Sequence, residues 1–207
     1  DGLAPRLVRS HSIVGVCLIE IESLRPTGVP RKMGIHTMNA GYRIAVEWGR
    51  DVIEHGVYIP RRDTSSRLKT WLGGRAFPGV HHHSRFSTTW DDESVSVEIR
   101  SDDGRADLRL LGAIGDGFGP DSAFEDLEEV SAFFRDADRG FSPGHGRTDG
   151  IRLRVEDWHV RGFEVDRLYS GYFADPSLFP SGSLVFDSAV FMRNVAHEWE
   201  TVEAPIP

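Results

Sequence analysis

A mainly β fold, antiparallel and closed or partly closed into a barrel with two short helices, is predicted by three features of the 207-residue sequence. Apolar and polar residues alternate with period two in segment after segment, the pattern of half-buried strands. Polar or glycine-bearing links of hairpin length join those segments, at Arg50-Asp51, Asp91-Asp92, Asp102-Asp103-Gly104 and Pro180-Ser181-Gly182. Helical spacing is confined to two stretches. So many antiparallel strands in one domain favour closure, which removes the exposed edges of an open sheet.

The strands are expected at Ile13–Ile21, Tyr42–Trp48, Val57–Ile59 and Val80–Thr89, then at Val95–Arg100, Leu108–Ile114, Ile151–Val155 and Val160–Val165, and finally at Leu184–Met192 and Ala196–Thr201. The first helix follows Asp63-Thr64-Ser65-Ser66, which supplies an N-cap. Leu68, Trp71 and Leu72 share one of its faces, and Gly73-Gly74 ends it. The second opens on Ser122 and Glu125 as a capping box and carries Leu127, Val130 and Phe134 at helical spacing, closing one side of the barrel. Gly140 to Gly150 holds four glycines and one proline, and reads as a mobile loop rather than a strand. Trp158, Trp199, Phe133 and Phe134 are expected as core or barrel-closing aromatics.

The length and the even composition point to a single domain, residues 1–207. Against 24 basic residues stand 32 acidic ones, and a net charge of -8 repels phosphate backbones and anionic lipid, so neither nucleic acid nor a membrane is an expected partner. Only two of the basic residues are lysines, Lys32 and Lys69, which restricts any chemistry that needs an amine. Cys17 is the sole cysteine, so no intrachain disulfide and no cysteine-based zinc site can form. It lies in the apolar run SIVGVCLIEI, where a buried, inert thiol is expected. No stretch approaches the roughly 20 apolar residues of a membrane-spanning helix, and the first residues lack the layout of a signal peptide. Asp1 is not a natural start, so whether the chain continues upstream is open; a soluble, cytoplasmic protein is the plain expectation.

Chemistry-bearing residues concentrate between Gly56 and Phe86, in GVYIPRRDTSSRLKTWLGGRAFPGVHHHSRF. Strand alternation sends His82 to one face and His81 and His83 to the other, so the three cannot ligate one ion. The H-x-H pair His81 and His83 can hold a metal from one strand face, given a third ligand such as His145 or His159 that the sequence does not bring near; no metal is expected. Arg61 and Arg62 follow Pro60, and Arg75 follows a double glycine. Their guanidinium forks match carboxylates, or alternatively pair with the plentiful acids, and Asp63 reads as a helix cap. Tyr58 is a further candidate, on either face. No nucleophile-elbow, Walker, dinucleotide or zinc-protease motif is present, and Gly115-Asp116-Gly117-Phe118-Gly119 lacks the lysine of a phosphate loop, so no cofactor is expected.

The strings MNAGYRIAVEW, GVYIP and GGRAFPGVHHH resemble the core of the acetoacetate decarboxylases, in which an E-A-A strand ending in V-E-Y precedes G-V-Y-x-P and then G-R-E-x-x-G-x-P-K-K. The likeness covers Met38 to Phe86. It implies that the family's active-site Glu falls on Asn39, its G-R-E on Gly74, Arg75 and Ala76, and its two lysines on His82 and His83. A likeness over most of the chain is to the YqjF-like group, which is placed with acetoacetate decarboxylase by fold. GVYIPRRDTSSRL, GGRAFPGVHHHSRF, SAFF and FDSAVFMRNVAHEW carry it. The resemblance implies an acetoacetate decarboxylase-like β-barrel and brings almost no function with it.

Schiff-base decarboxylation needs an amine that is neutral at working pH, and imidazole forms no such imine. With His82 and Asn39 at the family's lysine and glutamate positions, its reaction has no known route here, and Lys32 and Lys69 read as poor substitutes. The expected function is an interior pocket for a small carboxylate-bearing or polar organic molecule. Whether it is an enzyme is open; if it is, lyase or isomerase chemistry is expected, with His82 as base, Asn39 donating to an oxyanion, and Arg75, Arg62 and Tyr58 holding the substrate. The oligomeric state is open, a homo-oligomer included.

Overall fold

Most of the alternating segments are strands in the computed structural model of the chain, which describes residues 2–25, 28–73, 78–91, 93–115, 118–119 and 121–205. In chain order the first strands are β1 (Ala4–Pro5), β2 (Leu7–Val8), β3 (His11–Ser12), β4 (Val14–Leu24), β5 (Ile35–Trp48) and β6 (Glu54–Thr64). Helix α1 (Arg67–Leu72) leads to β7 (His81–Trp90), β8 (Ser94–Ser101) and β9 (Leu108–Gly115). Helix α2 (Leu127–Asp136) is followed by β10 (Arg139–Pro143), β11 (Thr148–Val155), β12 (Arg161–Ser170), β13 (Val190–Phe191) and β14 (His197–Val202). By contact the chain divides into two compact units, Asp1–Ser84 with Ala137–Leu153 and Trp199–Pro207, and Arg85–Asp136 with Arg154–Glu198.

In the first unit β5 is the spine. β4 pairs with it antiparallel from Val14↔Ile44 to Leu24↔Ile35, and β6 antiparallel from Asn39↔Thr64 to Trp48↔Glu54. β6 also carries two parallel partners: β10 lies beside Gly56–Tyr58 and the start of β7 beside Arg62–Thr64. These two meet end to end, where Val80 N–H donates to Pro143 O at 3.0 Å. Parallel pairing needs a crossover, and α1 supplies it between β6 and β7. The pairing is therefore mixed rather than antiparallel throughout. Among the described residues the pairings of neither unit close on themselves: in the first they run from β4 to β14, and in the second they end on β13. The expected barrel closure is corrected to an open sheet, because β6 divides one edge between two strands instead of passing it to a single neighbour.

Gly140 to Gly150 is a hairpin and not the expected loop. β10 and β11 pair from Arg139↔Arg152 to Pro143↔Thr148, and Gly144 N–H donates to Arg147 O at 2.8 Å across the turn. Gly140, Gly144 and Gly150 mark close approach: a Cβ on Gly150 would lie 2.5 Å from Val202 O. Beside this hairpin Val46, Trp48 and Phe141 form a buried apolar cluster with Leu3, Ile44 and Tyr58 against it. Trp48 meets Phe141 edge to face at 5.1 Å, and its indole N–H donates to Glu54 at 2.8 Å.

In the second unit β8, β9 and β12 pair antiparallel in sequence, with β13 on the outer edge of β12. α2 buries Val130 and Phe133, and Phe133 stands edge to face with Phe124. The helix is capped by Asp126, whose Oδ1 accepts from Glu129 N–H at 2.8 Å. Ser122, the expected cap, instead donates its hydroxyl to Asp187. Of the strand expected over Leu184–Met192 only β13 forms; Leu184, Val185 and Phe186 are exposed. Trp199, expected as a core aromatic, is exposed, whereas Trp158 is half-buried and donates to Ser131 Oγ at 2.9 Å.

Candidate functional site

Strand register in the first unit gathers polar residues on one face of β5, β6 and β7. Asn39 pairs with Thr64 and Gly41 with Arg62 across β5 and β6, while Arg62 pairs with His81 and Thr64 with His83 across β6 and β7. Residues in register share a face. Asn39, Arg62, Thr64, His81 and His83 therefore project together. Cys17 and Arg43 lie on the same face, Cys17 through its pairing with Gly41 and Arg43 two residues beyond it.

Asn39 is held at every polar atom. Its Nδ2 donates to Thr37 Oγ1 at 2.9 Å and Thr37 O at 3.2 Å, and its Oδ1 accepts from Thr64 Oγ1 at 3.0 Å. The remaining lone pair of Oδ1 accepts from Lys69 Nζ at 2.9 Å. Lys69 reaches it because α1, capped by Ser66 Oγ on Lys69 N–H, turns its Lys69 side inward. The residue is only 8% exposed. Leu68 and Trp71, which share the apolar face of the helix, are 45% and 70% exposed.

Lys69 and Arg62 thus share this face with Arg43, and burial acts on both Lys69 and Arg62. Desolvation, with a smaller contribution from Arg62, lowers the Lys69 amine from its ordinary value to about 8. Arg62 is lowered to about 10 by desolvation and then by Arg43. His81 is pushed down to about 3 by burial first and by Arg62 and Lys69 next, and so is neutral; its Nδ1 donates to Gly79 O at 3.0 Å. Arg62 Nε donates to Ser142 Oγ at 2.9 Å. Arg62 Nη2 and Arg43 Nε are buried without an acceptor among the described residues. Asp149 attracts Arg62 from farther off, its own oxygens accepting from Gly79 N–H and from Arg147.

The predicted site residues divide between two faces. Asn39 and Arg62 belong to the cationic face. His82 pairs with Asp63, and Asp63 with Ala40, which puts His82 on the opposite face from Asn39. The expectation that His82 and Asn39 work together is corrected by this register; His81 and His83 are the histidines on the Asn39 side. Tyr58 also leaves the site, packing against the cluster of Val46, Trp48 and Phe141. Arg75 lies outside the described residues. Among those residues no three His, Cys, Asp or Glu side chains gather as a metal site, so the pair His81 and His83 finds no third ligand there. Lys69, passed over as a poor amine, is at the centre of the site.

The opposite face carries a compensated charge. Arg61 Nε donates to Asp63 Oδ2 at 2.7 Å and its Nη2 to Oδ1 at 2.9 Å, with Ser84 Oγ donating to Oδ1 at 2.7 Å. Asp63, expected as a helix cap, is a fully buried ion-pair partner instead.

Gly79 closes the cationic face at φ +79°, where a Cβ would lie 2.8 Å from Ser142 Cβ and 3.1 Å from Arg62 Nε. Gly79→Ala combines a left-handed backbone with that crowding. It is expected to destabilise by about 1–3 kcal/mol and to disturb the Arg62–Ser142 contact; a urea midpoint equal to wild type would contradict this.

In the second unit a hollow of about 250 Å³ is lined by Phe118, Phe163, Val165 and Phe186, with Asp187 at its rim. Asp187 already accepts from Ser122, Ala123 N–H and Ser188. Comparison of the chain with protein-family models and with curated proteins finds no match. Among the described residues no helix is long and apolar enough to cross a membrane.

Proposed function

We propose that the first unit binds a small carboxylate-bearing molecule on the face formed by Arg62, Arg43 and Lys69. The observation that carries this reading is the pair of buried guanidinium nitrogens, Arg62 Nη2 and Arg43 Nε, with no acceptor among the described residues. A buried donor left unpaired costs about 1–3 kcal/mol, more when charged. A carboxylate supplies two acceptor oxygens and the missing negative charge in one group. The ordered amide of Asn39 and the neutral imidazole of His81 would then orient the rest of the molecule. The resemblance to acetoacetate decarboxylases enters as a likeness of sequence motifs alone, with the chemistry carried by different positions.

A second reading, a lyase acting through a covalent imine, is favoured by the geometry of Lys69. Its amine is buried, lowered to about 8, and stands near a second cation, the conditions that leave a lysine neutral and nucleophilic. The positions that the resemblance assigns to the family's lysines hold histidines, and Lys69 would instead supply the amine from α1. Borohydride added with pyruvate distinguishes the readings: a reduced adduct on Lys69 supports the lyase, and binding without an adduct supports the simple receptor.

Titration of the protein with acetate and pyruvate at pH 7 by calorimetry tests the binding itself. Loss of a charge-assisted hydrogen bond corresponds to about 1.5–3 kcal/mol, so Arg62→Met is expected to weaken binding by at least tenfold. Affinity unchanged in that variant, or no binding of either acid to wild type, would remove the reading.

A further inference from the structure

We infer that Lys69 is a carbamylation site, its amine capturing carbon dioxide to place a carbamate among Arg62, Arg43 and Asn39. The inference rests on the anion-binding reading of the same face and names a way in which the chain supplies the anion from its own side chain. Geometry carries it. Lys69 Nζ makes its hydrogen bond to a neutral partner, Asn39 Oδ1 at 2.9 Å, and among the described residues to no carboxylate. Arg62 stands two residues along the strand from the Asn39–Thr64 pair, about 7 Å at ordinary strand rise. Its Nη2 and Arg43 Nε are the buried donors without an acceptor among the described residues. Two oxygens added to the lysine nitrogen would have these N–H groups to accept from.

The step balances with carbon dioxide as its one co-reactant and needs no oxidant or reductant. The Nζ lone pair of the neutral amine bonds to the carbon of carbon dioxide, one C=O electron pair moves onto oxygen, and one N–H proton leaves to water. Counted from the ammonium, which first gives one proton to water, two protons leave and a cation becomes an anion. A neutral amine is the reacting form, and the amine's lowering to about 8 supplies a substantial neutral fraction near that pH. The titratable groups on its face are Arg62, Arg43, His81, His83 and Cys17, with Asp149 the acid that acts on Arg62. With His81 neutral, the field at Lys69 is net positive, and it favours the carbamate over the ammonium.

The test is ¹³C NMR of the whole chain in ¹³C-bicarbonate at pH 8.5, followed by trapping of the carbamate as its ester with an alkyl oxonium salt and peptide mass spectrometry. One labelled carbamate per chain is expected on Lys69. It should vanish in Lys69→Arg, persist in Lys32→Arg and fall at least tenfold in Arg62→Met, all with wild-type far-ultraviolet circular dichroism. Should Arg62→Met fail to fold, Arg43→Gln is read in its place with the same expectation. Acetate titration in carbon dioxide-free buffer separates the two readings. Acetate binding with no label on Lys69 overturns the carbamate and leaves the pocket; label only on Lys32 or the chain terminus, or label insensitive to both arginine variants, overturns it as well. Neither binding nor label removes both.

Discussion

Replacing Asp63 with alanine is expected to destabilise the protein by about 3–5 kcal/mol, the loss typical when one member of a buried ion pair is deleted. Asp63 is fully buried, and its two oxygens accept three hydrogen bonds, two from Arg61 in a fork and one from Ser84. The alanine variant keeps the Arg61 cation in a strand that is 7% exposed there and takes away both of those acceptors. The effect includes the charge that loses its carboxylate as well as the lost contacts. The double variant Asp63→Ala with Arg61→Met should therefore recover a large part of the stability, since an apolar pair avoids desolvating either ion. Urea midpoints at pH 7 read both results. A loss under 1 kcal/mol for the single variant, or no recovery in the double, would show that the pair does not carry the charge balance of this face.

The strands that were legible in the sequence are those with one wet face. Val95–Arg100 and Leu108–Ile114 were expected within a residue or two of β8 and β9, because exposed or half-buried polar residues (Ser96, Glu98, Arg100 and Arg109) alternate there with buried Val95, Val97, Ile99 and Leu108. β6 was expected over only three residues, Val57–Ile59, and is eleven long. Its Arg61, Asp63 and Thr64 are polar and buried, so polarity stopped reporting exposure along the strand. Glycine misled in a different way at Gly140 to Gly150, where absent side chains permit close strand contact rather than a loose loop.

The site was half legible for a related reason. Asn39 and Arg62 were identified and share a face, but the histidine chosen to join them was off by one residue. Parity is everything in a strand, and a slip of one exchanges the faces. The register of a parallel pair is set by its crossover and not by a tight turn, so nothing local in HHHSRF says whether His81 or His82 meets Arg62. Lys69 was missed because α1 has six residues, too few turns for apolar spacing to orient it. Leu68 and Trp71, which share the helix's apolar face, are exposed. The available signal was scarcity: one of only two lysines lies one turn past a cap, directly after the Arg-Arg-Asp strand.

Lys69→Met is expected to stabilise the protein near pH 7 by about 1–3 kcal/mol, an unusual direction for a substitution at a buried position. The sign follows from linkage. The amine titrates near 8 in the folded chain and at its ordinary value, 10.5, when unfolded. Between those values the unfolded state binds more protons, so wild-type stability rises with pH from about 8 to 10.5; below 8 both states are protonated and the full penalty of a buried ammonium is present. At about 1.4 kcal/mol per pH unit, that penalty is on the order of 3 kcal/mol. Methionine fills the volume without charge, relieves Arg62 of a like neighbour, and leaves Asn39 Oδ1 its bond from Thr64. The rise above pH 8 should disappear with the lysine, and the wild-type minus variant difference isolates it from Arg62, which titrates near 10. A saturating carboxylate should add stability to wild type by mass action and add much less to the variant. Urea unfolding of both proteins at pH 7, 8, 9 and 10, with and without acetate, makes the comparison. A flat wild-type profile over that range, or a variant less stable than wild type at pH 7, would mean that Lys69 is not held as a buried amine, and the binding and carbamylation readings would lose their anchor.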